Sequence, residues 1–324
     1  MQANPFSLTA NSPSQLPTGF VFMRFLLDSH QTAARLPWPA LVNELARLLK
    51  DDSVTVPARL VQPLPGGASL FVMPAHDSRV AIAKLITFTP DNAGTVRPTI
   101  QGDVVVFDVI TGERRLLLDG PTVTARRTAA VSVLAAQRLA VNTQGPLLII
   151  GAGVQGKAHL EAFSECLQVK EVMIASRNPV GARLLLQHAQ ALGLRARVVT
   201  NANAALADCP LAVTCTPASA VVLDALPRQD GFISAIGAFT PQMVELGTGL
   251  CQHVVRLGTV FVDTVDAVHE AGDLLQAGLN VSQCKTLGDI VRQNIARPTG
   301  PVLFKSCGWA GWDLAAARVA LDHV

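Results

Sequence analysis

Three basic residues in the first half of the chain, Arg59, Lys84 and Arg127, are of the kind that fix a carboxylate. Lys84 is the most telling of them. In Val80-Ala-Ile-Ala-Lys84-Leu-Ile-Thr-Phe88 a strand's period of two puts it on the same face as Ile82, Ile86 and Phe88, where an ammonium is costly unless an anion meets it. A substrate carboxylate would meet that need; so would an acidic neighbour, or water reached by a snorkelling stem. Arg59 lies in Pro57-Ala-Arg-Leu60 and Arg127 at the mouth of an alanine-rich run, and neither stands out alone, because most arginines are surface residues. Arg126 and Arg127 are about 100° apart on a helix, so only one of them faces a given pocket. His76 is either a proton donor or a structural histidine beside a turn.

A second centre of chemistry is Pro146-Leu-Leu-Ile-Ile-Gly151-Ala-Gly153-Val154-Gln155-Gly156, an apolar strand that enters a glycine-rich turn and then a helical pattern with Leu160, Phe163 and Leu167. Such a turn binds a dinucleotide: Gly151 allows the tight turn, Gly153 lets a pyrophosphate approach the backbone, and Gly156 permits close helix–strand packing. The N–H groups at the helix start meet the phosphates. After the next strand, where an Asp or Glu would bind a ribose 2′-hydroxyl, the chain has Ser176-Arg177-Asn178. A guanidinium there suits a 2′-phosphate and favours NADPH over NADH; the alternative is a solvated surface arginine. Thr214 and Thr216, in Thr214-Cys-Thr-Pro217, and Gly237 fall at the carboxyl ends of later strands, where ligands bind in such sheets, although ordinary strand ends would read the same way. The chain has no tyrosine, which excludes reductase chemistry built on a Tyr/Lys pair.

The elements that position these groups divide the 324 residues into two units. The apolar spacing of Trp38, Leu41, Val42, Leu45, Leu48 and Leu49 predicts an amphipathic helix, followed by strands over 69–73, 80–88 and 104–110 and a hairpin return over 115–119. This half reads as α+β and mostly antiparallel. The alanine-rich run 128–141 predicts a helix leading into the second unit. There, short apolar strands over 147–150, 172–175, 196–199, 211–214, 232–236 and 260–262 alternate with helices, which predicts a doubly wound parallel sheet of Rossmann type. A strand at 302–306 and a helix over 313–319 close the chain. The expected domains are a flexible tail over 1–19, a substrate-binding unit over 20–127 and 303–324, and a nucleotide-binding unit over 128–302. The balance of 26 basic and 24 acidic residues gives no nucleic-acid or membrane footprint, and no run is long and apolar enough for a membrane span. Six scattered cysteines without ligand spacing point to reduced thiols in a cytoplasmic protein and to no metal site.

Taken together, Leu70-Phe-Val-Met-Pro-Ala75, Ala83-Lys-Leu-Ile-Thr-Phe88, Thr124-Ala-Arg-Arg-Thr-Ala-Ala130, Gly151-Ala-Gly-Val-Gln-Gly156 and Phe304-Lys-Ser-Cys-Gly308 resemble the ornithine cyclodeaminase/mu-crystallin family. The resemblance implies a homodimer whose N-terminal substrate unit takes back the C-terminal helix. It also implies that Arg59, Lys84 and Arg127 hold the substrate carboxylate; Lys84 is a candidate proton donor if burial and the neighbouring arginines lower its pKa, a pre-protonated substrate or an ordered water being the alternatives, and Lys305 is expected at the cofactor. Cyclodeaminases of the family carry an aspartate that handles the amine; the corresponding segment here is Ile236-Gly-Ala-Phe239-Thr-Pro, and Phe239 takes no proton. The segment is similar to the branch that reduces the cyclic ketimines Δ1-pyrroline-2-carboxylate and Δ1-piperideine-2-carboxylate to proline and pipecolate. Alanine-type dehydrogenation, ornithine cyclodeamination and non-catalytic ligand binding of the mu-crystallin kind stay open as alternatives.

Overall fold

The computed structural model describes residues 25–92, 95–217 and 219–323; the tail expected over 1–19 lies outside them. The N-terminal unit is built on a six-stranded sheet of β1 (Leu26–Leu27), β2 (Leu60–Pro63), β3 (Ser69–His76), β4 (Val80–Phe88), β5 (Ile100–Asp108) and β6 (Arg114–Asp119), in the spatial order β1-β6-β5-β4-β3-β2. Neighbours are antiparallel except β1, which runs parallel to β6. Strand β3 continues past the expected Met73 through Pro74. This is possible because β2 pairs only as far as Val72, so the missing Pro74 N–H falls on an open edge.

Helices α1 (Ser29–Ala34) and α2 (Trp38–Leu48) precede β2, and α3 (Gly120–Leu139) follows β6. Helix α3 starts well before the expected Thr128: Asp119 caps it by accepting from the Thr122 N–H at 2.8 Å, and Pro121 occupies its first turn, where a missing N–H costs nothing. Apolar on nearly every side, with Ala129, Ala130, Val131, Val133 and Leu134 buried, it is the shared core element of both units. The expected boundary at 127/128 therefore falls inside a continuous helix.

The second unit is an eight-stranded parallel sheet: β7 (Leu147–Ile150), β8 (Glu171–Ala175), β9 (Arg195–Val198), β10 (Leu211–Thr214), β12 (Phe232–Ala235), β14 (Thr259–Val262), β15 (Lys285–Thr286) and β16 (Val302–Lys305). Its order, β9-β8-β7-β10-β12-β16-β14-β15, puts the doubly wound switch point between β7 and β10. A small two-stranded sheet of β11 (Ser219–Leu223) and β13 (Val244–Leu246) flanks it. Helices α4 (Val154–Leu167), α5 (Pro179–Ala191), α6 (Ala202–Leu206), α7 (Thr248–Leu257), α8 (Ala267–Glu270), α9 (Gly272–Gln276) and α10 (Leu287–Gln293) connect the strands. Strand β16, expected in the substrate unit, instead inserts between β12 and β14, because its wholly buried Val-Leu-Phe-Lys sequence suits an interior parallel strand.

The last helix, α11 (Ala310–Asp322), returns to the first unit and packs on α2, α3, β3 and β4. Alanines 315, 316, 317 and 320 allow that close approach. Arg318 anchors it: its guanidinium pairs with Asp77 at 2.5 Å, Asp51 at 2.6 Å and Glu44 at 3.2 Å, and Asp77 and Glu44 are buried. Replacing Arg318 by Met should lower unfolding stability by about 3–5 kcal/mol, because buried Asp77 loses its counter-ion and buried Glu44 keeps, among the described residues, only the exposed Arg47 at 3.0 Å. Denaturant titration checks this, and a loss below about 1 kcal/mol, the scale of an exposed pair, would contradict it.

Candidate active site

The two units face each other across a cavity of about 260 Å³. The N-terminal unit lines it with Arg59, Lys84, Thr124, Arg127 and the apolar side chains Phe71, Met73, Ile86, Phe88 and Ile100. Gln155, Thr216, Gly237, Phe239 and the turn Ser306-Cys-Gly308 come from the second unit. The three basic residues singled out in the sequence thus share one pocket. Thr124, Arg127 and Thr128 reach it together because residues three and four apart share a helix face. Arg126 points elsewhere, with its guanidinium 3.8 Å above the Trp38 ring and a 2.8 Å hydrogen bond to the Leu36 carbonyl. His76 lies on the far end of β3, outside the cavity lining, and its ring contacts the Asp77 carbonyl.

Lys84 is almost wholly buried, on the inward face that alternation along β4 assigns it. Its Nζ donates to Thr124 Oγ1 at 2.6 Å and to Asp313 Oδ1 at 3.1 Å. Arg127 Nε donates to the same oxygen at 3.3 Å, while Asp313 Oδ2 has no hydrogen-bond partner among the described residues. Of the possibilities that alternation leaves for Lys84, the structure shows the acidic neighbour, but a single carboxylate serves two cations and leaves a net positive charge beside an apolar cavity. Burial lowers the Lys84 pKa to about 8; Asp313 opposes the shift, and Arg127 and Arg59 reinforce it. Asp313 reads in the sequence only as the start of a helix, since its partners lie far away in the chain. Arg59 pairs with Glu270, a bridge between the units, and burial raises the Glu270 pKa to about 7 against the pull of Arg59.

Gly308 completes this wall. Its φ of +96° suits glycine, and an added Cβ would lie 3.5 Å from the Arg127 guanidinium nitrogens. The turn is held by buried Asp263, whose Oδ2 accepts from Ser306 Oγ at 2.8 Å, Cys307 N at 2.9 Å and Gly308 N at 2.8 Å.

The glycine turn fits a dinucleotide. Gly151 has φ +116° and an added Cβ would meet the Cys215 carbonyl at 2.7 Å; a Cβ on Gly156 would strike the Gly151 carbonyl at 2.1 Å. By contrast nothing lies within 4 Å of a Cβ on Gly153, which caps α4 without a side-chain bond and leaves its first N–H groups for an anion. Exposed Val154 and half-buried Gln155 follow, and the buried Gln155 Oε1 has no partner among the described residues. The Gly151 N–H donates to the Ala175 carbonyl at 2.9 Å, which sets Ser176 and the exposed Arg177 beside the turn. Asn178 is the N-cap of α5, its Oδ1 accepting from Val180 and Gly181. Of the other expected cofactor contacts, Thr214 and Lys305 are fully buried, and Lys305 forms a 2.8 Å ion pair with Asp273. Among the described residues no cluster of His, Cys, Asp and Glu is arranged to hold a metal ion.

A Rossmann-type unit closing on an anion-seeking apolar pocket defines a class of nucleotide-dependent two-domain proteins, and comparison narrows it. The sequence profile of the ornithine cyclodeaminase/mu-crystallin family matches residues 40–324, so the chain belongs to that family. It is 37% identical over 305 residues to Delta(1)-pyrroline-2-carboxylate reductase 1 of Burkholderia multivorans, covering 92% of this chain and 95% of that one. It is 36% identical over 304 residues to the Delta(1)-pyrroline-2-carboxylate/Delta(1)-piperideine-2-carboxylate reductase of Azospirillum brasilense, covering 92% and 95%. The fold matches that of Thermococcus litoralis Delta(1)-pyrroline-2-carboxylate reductase in complex with NADH and L-proline, with a TM-score of 0.84 at 22% identity over 92% of this chain and 97% of that one.

A carboxylate held by Lys84 would need it protonated, so on that assignment kcat/KM for a carboxylate substrate should fall as pH rises through about 8, the free-enzyme value. Lys84→Met should lose that limb. A Lys84 that only binds the carboxylate predicts raised KM with kcat retained, and one that also delivers the proton predicts a collapse of kcat. A wild-type profile that stays flat to pH 9.5 would refute the assignment of the charge.

Proposed function

We propose that the protein reduces the cyclic ketimine carboxylates Δ1-pyrroline-2-carboxylate and Δ1-piperideine-2-carboxylate to proline and pipecolate with NADPH, NADH serving less well. The chain is an NAD(P)H-dependent oxidoreductase acting on imines. The observation that carries the reading is the pocket's charge: all of its ionisable lining outside the thiols is cationic, and the rest is largely apolar. Such a pocket takes a small monoanion with a hydrocarbon ring. Arg59, Lys84 and Arg127 hold the carboxylate and thereby fix the adjacent imine carbon, and the restriction on its position supplies much of the rate. The glycine turn would hold the pyrophosphate of a nicotinamide dinucleotide, which would supply the hydride when bound. The imine nitrogen gains a proton as its carbon gains that hydride, and Lys84 is the pocket group suited to give it. Phe71 and Phe239 wall off water, which would otherwise hydrolyse the imine.

NADPH preference rests on Arg177, exposed beside the turn with no ion pair among the described residues, and on Ser176 in place of an acid. We further propose a homodimer. The face of the N-terminal sheet opposite its helices carries a cross-strand row of Leu26, Leu117, Val105, Ala83 and Pro74, with Leu85 next to it 41% exposed. A patch of this kind calls for a partner, and a second copy supplies a matching face. Sedimentation should therefore give twice the 34.2 kDa chain mass, and a monomer at micromolar concentration would reject the pairing. The six free cysteines suit a cytoplasmic location.

Initial rates of NADPH oxidation with each imine test the function. Turnover of either ring by NADPH faster than by NADH is expected, and Arg177→Asp should reverse the preference. Absence of imine turnover by a protein that binds the nucleotide would refute the reading in favour of ligand binding.

A further inference from the structure

Glu245 is fully buried in β13 and does not line the cleft, yet three of the four donors it meets belong to cleft-lining residues and the fourth, Ala238 N, lies between two of them. Its Oε1 accepts from Thr216 N at 2.7 Å and Thr216 Oγ1 at 2.9 Å, and its Oε2 accepts from Gly237 N at 2.7 Å and Ala238 N at 3.2 Å. One carboxylate, with two acceptor positions on each oxygen, is thereby saturated by two loops. These loops leave the carboxyl ends of β10 and β12 and place Thr216, Pro217, Gly237 and Phe239 on the cavity. The fit leaves no slack, for a Cβ on Gly237 would lie 2.1 Å from the Thr216 carbonyl and 2.5 Å from Glu245 Oε1.

Behind Glu245 the chain of contacts continues. Asp273 Oδ1 accepts from the Glu245 N–H at 2.6 Å and from the Leu246 N–H at 2.9 Å, and its other oxygen pairs with Lys305 at 2.8 Å. Lys305 is the last residue of β16, immediately before the Ser306–Gly308 turn that forms the third wall. A neutral core would bury the same volume without this cost. Here the acceptors of the two buried carboxylates hold the backbone of both loops and of β13, which gives that cost a structural return.

We propose that Glu245 is a positioning residue, the brace that sets the two loops on the nicotinamide side of the cleft, with Asp273 and Lys305 carrying the brace to the third. The proposal rests on the cofactor reading given above and extends it to a residue outside the pocket. Without Glu245 the backbone N–H groups of Thr216, Gly237 and Ala238 lose their acceptors, and the loops relax towards other partners. The cations that hold the carboxylate stand on the other unit and are untouched.

The test compares wild type with Glu245→Gln, in which an NH2 replaces one oxygen and confronts donors. NADPH dissociation constants are read from nicotinamide fluorescence, imine KM from rates, and folding from the thermal midpoint. The Kd for NADPH should rise by at least about tenfold, in line with donors left unpaired in a buried site, and by more than the KM for the imine. A general loss of packing would instead move both together with the midpoint. A folded variant whose Kd changes less than threefold, or whose Kd and KM rise equally, overturns the proposal. Asp273→Asn, which keeps a carbonyl acceptor for the two N–H groups, serves in the same assay if Glu245→Gln does not fold; failure of both to fold assigns the network to the core and also overturns it. If the wild-type protein itself binds no NADPH, the cofactor reading fails, which separates that outcome from failure of the brace.

Discussion

The site hangs on one carboxylate. Asp313 Oδ1 receives Lys84 and Arg127 at once, and the three come from β4, α3 and α11, elements far apart in the chain. Buried alone, either cation would shed its charge or refuse burial; with an acid for each, the pocket would be neutral and indifferent to anions. Two cations on one acid leave the cavity short of one negative charge. A monocarboxylate would supply that charge, which is the electrostatic ground of the proposed substrate class.

This arrangement explains the path of the chain. Strand β16 enters the parallel sheet between β12 and β14, not at its edge. The chain therefore leaves the second unit near the middle of the cleft, where Asp263 fixes the turn at Ser306–Gly308 and α11 starts at once towards the first unit. A C-terminal strand at the edge would have left Asp313 far from Lys84. The grip of Arg318 on Asp77, Asp51 and Glu44 then keeps α11, and Asp313 with it, in register. Helix α3 runs through the core of both units, so the cations it carries move little relative to the glycine turn.

Much of this architecture is legible in the sequence because it depends on local pattern. The bounds of β7 and β10 match their apolar runs, and the inward face of Lys84 follows from alternation. What the sequence hides is pairing over distance. Lys305 in a signature segment reads as a cofactor contact, yet it meets Asp273, and nothing local announces that. Asp313 and Glu245 read as ordinary helix and strand residues for the same reason. The early start of α3 is a different matter: Asp119-Gly-Pro-Thr122 is a readable cap, outweighed by the stronger alanine signal downstream.

The pocket's chemistry also bears on which of the reactions open to this fold is proposed. Oxidation of an amino acid, or cyclodeamination, needs a base for the ammonium proton and a group to activate water or handle the departing amine. Of the carboxylates near this cavity, Glu245 is spent on four donors, Asp313 meets Lys84 and Arg127 through one oxygen, and Glu270 pairs with Arg59 while burial raises its pKa to about 7. Phe239 lines the cavity and can take no proton. An already formed C=N bond asks for less, namely a fixed carboxylate, a dry wall and one proton. Below pH 8 Lys84 holds that proton and can give it up at small cost, since burial has already weakened its hold. On the reading proposed above, the same ammonium would both meet the anion and supply the proton.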